Sequence, residues 1–169
     1  MLPGGEMGHP GSSGWGKKKE DVMNLFHRIL VATDFSEAST PAFQEALLMA
    51  KENGSELLIA NAYQHPNMLE ADSVAPGVYE EWDKNLRAEI EGKLETLIVE
   101  ARKAGIVAKP LVLSGAAHEA ITEAAKDNDA DLVIMGTHGR KGVSRLFLGS
   151  VASRVIATAP CPVMTIHAV

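Results

Sequence analysis

Residues 131–151 read Asp131-Leu132-Val133-Ile134-Met135-Gly136-Thr137-His138-Gly139-Arg140-Lys141-Gly142-Val143-Ser144-Arg145-Leu146-Phe147-Leu148-Gly149-Ser150-Val151. The run from Asp131 to Met135 is apolar without alternation, as in a strand buried on both faces. A glycine-rich connection follows, and Gly149-Ser150 opens a helix read from Val151 to Thr158. Glycines leave backbone N–H groups uncovered and permit φ > 0, so such a chain wraps an anion. The first N–H groups of the helix and the positive end of its dipole attract phosphate. Ser150 adds a hydroxyl, and Arg140, Lys141 and Arg145 add three positive charges. A turn, a helix cap and ordinary surface cations would account for each part singly. Together, in one strand-to-helix connection, they point to phosphate binding.

Outward from this stretch the chain alternates short apolar runs with amphipathic helices. Arg28-Ile29-Leu30-Val31-Ala32 reads as the first strand, ended by Thr33-Asp34-Phe35-Ser36. Phe43, Ala46, Leu47 and Ala50 form a helical stripe that Asn53-Gly54 stops, with Pro41 tolerable only near the first turn. Glu56 to Tyr63 reads as a second strand. A looser stretch from His65 to Gly77 leads into the longest helix, where Trp82, Leu86, Ile90, Leu94, Leu97, Ile98 and Ala101 keep helical spacing and Gly105 marks the C-terminal cap. Pro110 to Leu113 is a third strand, Ala117, Ile121, Ala124 and Ala125 mark a short helix, and Val163-Met164-Thr165-Ile166 is a fifth strand. The alternation implies an α/β fold: a single doubly wound, five-stranded parallel sheet with helices on both faces, Rossmann-like. Ligands of such sheets bind beyond the carboxyl ends of the strands, where the strand order reverses.

At 169 residues the chain holds one domain, read as 25–169. Residues 1–24 are expected to be a disordered Gly/Pro-rich tail, because so few apolar residues cannot offset the entropy of ordering. Within it Gly11 to Lys18 mimics a phosphate-binding loop. It lacks the final Ser or Thr that reaches Mg²⁺ and has no strand before it, so it is rejected. Lys17-Lys18-Lys19 is read as a solvated charge run. The net charge of −6 argues against a nucleic-acid binder that relies on bulk electrostatics. Cys161 is the sole cysteine, which rules out an intrachain disulfide and suits a reducing compartment. It is read as a small apolar core residue, with a reactive thiol as the alternative. With no membrane-length apolar stretch and no signal-peptide pattern at the start, a cytoplasmic location is expected.

The spacing Gly136-x-x-Gly139, nine residues, then Gly149-Ser150 resembles the nucleotide-binding signature of the universal stress protein family. The resemblance covers roughly residues 26–168. It includes Ile29-Leu30-Val31-Ala32-Thr33-Asp34-Phe35-Ser36, Val133-Ile134-Met135-Gly136-Thr137-His138-Gly139 and Pro160-Cys161-Pro162-Val163. A complete signature implies the branch of the family that binds ATP, with Mg²⁺. Carried over, Asp34 would reach the ribose or, through Mg²⁺, the phosphates, and Ala32 and Thr33 would line the adenosine side. Ala62 would offer backbone bonds to adenine and Met135 would pack on the nucleoside. Gly136, Gly139, Gly149, Ser150 and Val151 would hold the phosphates. If Gly149 has φ > 0, a side chain there also strains the backbone by on the order of 1–2 kcal/mol. From the residues alone, Asp34 also reads as a helix-entry cap with Ser36, a role compatible with the first. The resemblance also implies a homodimer paired through Val163, Met164, Thr165 and Ile166, and first and fourth strands that are neighbours.

The expected function is a nucleotide-dependent stress-response or signalling module rather than an enzyme built for turnover. His138 fits no Ser-His-Asp or metal-ligand spacing, and neither a general base for attack on a γ-phosphate nor a Walker-type Lys is apparent. Two alternatives stand beside this reading: a slow ATPase or phosphotransferase using the same pocket, and a nucleotide-free, chaperone-like interaction dimer.

Overall fold

The computed structural model describes residues 25–64, 77–137 and 148–167. The N-terminal segment 1–24, most of the His65–Gly77 stretch, and His138, Gly139, Arg140, Lys141 and Arg145 lie outside the described residues. In chain order the elements are β1 (Arg28–Ala32), α1 (Thr40–Asn53), β2 (Glu56–Tyr63), α2 (Val78–Lys103), β3 (Ala108–Ser114), α3 (Ala117–Asp127), β4 (Leu132–Gly136), α4 (Ser150–Thr158) and β5 (Val163–Ile166). The five strands form one parallel sheet in the order β3-β2-β1-β4-β5. The chain winds outward from β1 to β3 and then crosses back to the other side of β1, so the order reverses between β1 and β4.

The apolar strand runs divide between two faces. Ile29, Val31, Leu57, Ile59 and Ile134 pack with Phe43 and Leu47 of α1 and with Leu94 and Ile98 of α2. Leu30, Ala32, Leu58, Ala60, Val133 and Met135 pack with Ile121 of α3 and Val155 of α4. The anticipated stripe of α1 is buried throughout. That of α2 is buried only from Ile90 onward: Trp82, near the helix start, remains 40% exposed and lies beside Tyr79, their ring centroids 6.2 Å apart and the planes tilted by 34°. Cys161 packs half-buried against the α3/α4 face, and burial pushes its thiol pKa up, away from the reactive thiolate.

Glycine ends two helices where the sequence places a stop. Gly54 (φ +66) and Gly105 (φ +81) adopt the left-handed conformation just past α1 and α2. The following N–H groups, of Ser55 and Ile106, bond back to the carbonyls of Ala50 (2.9 Å) and Ala101 (3.0 Å). Both turns lie at the amino ends of the strands. At that end the Asp131 carboxylate also accepts the His27 N–H at 2.7 Å and the Arg28 N–H at 3.2 Å, which anchors the start of β1 beside β4. Glu56 bridges Arg28 and Lys109, and the Lys109 ammonium holds its carboxyl below the usual range.

The two sheet edges differ. Odd-numbered residues of β3 bond to β2, as the bonds from Leu57 N–H to the Val107 carbonyl and from Gly115 N–H to the Tyr63 carbonyl require. Pro110 therefore stands where its missing N–H would have faced the open edge, a device that blunts strand addition. Even-numbered residues of β5 bond to β4, since the Val133 N–H reaches the Pro162 carbonyl and the Thr137 N–H reaches that of Ile166. Val163 and Thr165 turn their backbone groups outward, and no proline interrupts them.

Candidate functional site

A strand-order reversal opens a crevice beyond the carboxyl ends of the strands where it occurs, which here is above β1, flanked by β2 and β4. Ala32, the last residue of β1, pairs with Ala60 on one side and Met135 on the other. Ala62 and Gly136 thus rise beyond the end of β1 on its two flanks. Two interstrand spacings, roughly 10 Å, separate those flanks.

Side chains of its own residues fix the turn leaving β1. Thr33 is buried, and its Oγ1 accepts the Phe35 N–H at 3.0 Å and meets Ser39 Oγ at 3.0 Å. Ser39 Oγ donates in turn to the Ser36 carbonyl at 2.8 Å. This network lets Phe35 take a left-handed φ of +61°, rare for an aromatic residue, while its ring packs on the core and lies 5.6 Å beneath the Lys93 ammonium. Asp34 stands half-buried at the crest of the turn. Its Oδ1 accepts the Ser36 N–H at 3.0 Å and the Ser36 hydroxyl at 2.6 Å. These bonds close an Asx turn. The position before α1 belongs to Ser39, which makes no side-chain cap, so Asp34 is not the helix-entry cap that its spacing also allowed.

On the far flank, the connection after β4 leaves and returns at one point. The Gly149 N–H donates to the Thr137 carbonyl at 2.8 Å, seating the start of α4 beside the end of β4. Thr137 is itself tied to β5 through the Ile166 carbonyl at 2.9 Å, and its Oγ1 meets His167 Nδ1 at 3.0 Å. The first N–H groups of α4, from Ser150, Val151 and Ala152, have no partner inside the helix. The Ser150 side chain is exposed beside them. Gly149 has φ −58° and ψ +150°, a conformation open to any residue. The backbone strain anticipated for a side chain there is therefore absent.

The sequence pattern of the universal stress protein family matches residues 25–167. The chain belongs to the universal stress protein family. It is 35% identical over 145 residues to the universal stress protein in the QAH/OAS sulfhydrylase 3′ region of Thermus aquaticus, covering 85% of this chain and 100% of that one. Among solved structures it resembles protein MJ0577 at a TM-score of 0.74 and 26% identity, over 84% of this chain and 96% of that one. It also resembles a universal stress protein in complex with cAMP, at a TM-score of 0.62 and 25% identity, over 84% and 97% of the two chains.

Of the residues singled out in this family member's sequence, Ala32, Thr33, Asp34, Ala62, Met135, Gly136, Gly149, Ser150 and Val151 gather around the β1/β4 crevice, while Gly139 lies outside the described residues. Their roles divide. Thr33 spends its hydroxyl on the turn, and Ala32 and Met135 are buried under α3 and α4. Asp34, the Ala62 and Gly136 backbones and the α4 terminus are the groups placed around the opening. Sequence reasoning misses Asn61. It is 5% exposed in the middle of β2, and its Nδ2 donates to the Thr33 carbonyl at 2.8 Å. The available signal was one amide inside the otherwise apolar run Leu57 to Ala62. Among the described residues no group of three His, Cys, Asp or Glu side chains could hold a metal ion, and no helix is long and apolar enough to cross a membrane.

Proposed function

We propose that this universal stress protein binds an adenine nucleotide, ATP with Mg²⁺, in the β1/β4 crevice and acts in the cytoplasm as a nucleotide-dependent stress or signalling module. One observation carries the reading: the Gly149 to Thr137 bond sets the start of α4 beside the end of β4, with Asp34 in the turn that leaves the adjoining strand β1. The N-terminal N–H groups and dipole of α4 suit phosphates, with the Ser150 hydroxyl as a further donor. Asp34 is a carboxylate oriented by Ser36, a hard oxygen donor of the type Mg²⁺ prefers, and it suits a ribose hydroxyl equally. The related structure in complex with cAMP adds support from a neighbour of the same fold. Binding rather than turnover is the proposed role, so hydrolysis should stay well below roughly 1 s⁻¹, the low end of ordinary enzymes.

Mass analysis of small molecules released by denaturing the purified protein tests the reading directly, and an adenine nucleotide is the expected result. Asp34→Ala should weaken ATP binding about tenfold or more in calorimetric titration, the scale of a lost hydrogen bond to a charged group. The loss should be larger with Mg²⁺ than with EDTA if the carboxylate works through the metal. Equal affinity of the two proteins in both conditions would remove Asp34 from the site.

The protein is further proposed to pair with a second copy through β5, whose Val163 and Thr165 present unblunted backbone groups while Pro110 blunts the opposite edge. Thr165→Pro deletes one outward N–H without touching the β4 ladder. Light scattering at micromolar concentration should show a dimer for the native protein and a monomer for the variant. A variant that stays dimeric would place the interface elsewhere.

A further inference from the structure

Parallel strands exchange hydrogen bonds in a fixed order, so the rung that should follow the end of β1 is known in advance. The Glu56 N–H bonds the His27 carbonyl at 2.9 Å and the Thr33 N–H bonds the Ala60 carbonyl at 2.9 Å. Even-numbered residues of β2 therefore face β1. Odd-numbered ones face β3, as the bond from Gly115 N–H to the Tyr63 carbonyl confirms. The next rung would run from the Ala62 N–H to the Thr33 carbonyl. Among the described residues that bond is not made. The Thr33 carbonyl accepts instead from the side-chain amide of Asn61, at 2.8 Å.

The geometry assigns to Asn61 the part of a ladder terminator that fixes base specificity: by occupying the Thr33 carbonyl, its amide keeps the Ala62 N–H out of the sheet and directed into the crevice. This deepens the adenine-nucleotide reading and rests on it. In a parallel strand the N–H and C=O of one residue point to the same side, so Ala62 presents a donor and an acceptor together. Adenine offers the complement on one edge, an N1 acceptor beside an N6 amino donor. Hypoxanthine offers the reverse, an N1–H donor beside an O6 acceptor. Asn61 does not touch the base here; it is a positioning residue acting through Ala62. Its burial fits that part, since a 5%-exposed amide needs a partner and the carbonyl at the top of β1 is the one it has.

Asn61→Leu keeps the branched side-chain shape and removes the donor, which returns the Thr33 carbonyl to the Ala62 N–H. Calorimetric titration with ATP and with inosine triphosphate then separates base reading from phosphate binding. The native protein should prefer ATP by at least about tenfold, the worth of roughly one hydrogen bond. In the variant the preference should fall to within roughly threefold while inosine triphosphate binds as before, a change in ratio that general destabilisation would not produce. An unaltered ratio in the folded variant would overturn the assignment. Amide exchange in the nucleotide-free native protein does not depend on the variant folding. The Ala62 N–H should exchange at least about a hundredfold faster than those of Leu58 and Ala60, and slow on addition of ATP. Ala62 as protected as Ala60 without nucleotide would also overturn the assignment. A native protein that binds neither triphosphate would overturn the nucleotide reading and the base-reading part together, leaving ladder termination to be judged by exchange alone.

Discussion

Gly149→Lys is expected to weaken ATP binding by at least about a hundredfold, close to 3 kcal/mol, in calorimetric titration. Phosphates approach a helix N-terminus through its backbone N–H groups, and that approach needs the space a side chain at Gly149 would fill. The added positive charge does not compensate, because it sits on a flexible stem in the place the phosphate would occupy. The φ of −58° at Gly149 makes the test clean. The substitution carries no left-handed strain, and a residue with no capping side chain in place of Gly at the N-cap costs well under about 2 kcal/mol. Circular dichroism should therefore match the native protein. Ser150→Ala should be milder, about three- to tenfold, since it removes one hydroxyl donor. A folded Gly149→Lys protein with native affinity would put the phosphates elsewhere and withdraw the main support for the nucleotide reading.

Ile59→Ala should produce the largest loss of stability, about 2–5 kcal/mol in urea unfolding. Ile59 is fully buried in β2, pairs with Val31 and Pro110 on its two sides, and packs in the cluster that joins α1 and α2 to the sheet. Its neighbours belong to regular elements on three sides, so the cavity has little scope to collapse. The melting temperature should fall by roughly 5–15 °C at this chain length. ATP affinity measured well below the transition should stay within about threefold of native, because Ile59 lies inside the sheet, in the cluster beneath α1 and α2. A stability loss under about 1 kcal/mol would mean that this face packs less tightly than its burial indicates.

The two predictions separate what holds the domain from what the crevice does, and the same division runs through what was legible in the sequence. The glycine caps at Gly54 and Gly105 were readable because a glycine directly after a periodic apolar stripe supplies the left-handed residue that closes a helix. The stripe of α2 extends further toward the helix start in sequence than it does in burial. Helical spacing records which residues share a face, and only the neighbouring elements decide how much of that face is covered, so Trp82 keeps its spacing yet stays exposed. Asp34 shows the same limit within the site. Its spacing to Ser36 fits a cap and an Asx turn equally, and the choice depended on where α1 begins.

Sequence by itself determined the α/β alternation, the two-sided burial of the strands and the helix ends. These are local matters of side-chain period, glycine and proline geometry, and chain order. Only the tertiary structure decided that the Thr33 hydroxyl is spent on its own turn, that Gly149 needs no special backbone, that Pro110 blunts one sheet edge while β5 stays open, and that Asn61 takes the carbonyl meant for Ala62. Each of these depends on which groups become neighbours across strands far apart in the chain. A hydrogen bond is settled by a distance and a direction, and residue types along one strand carry neither.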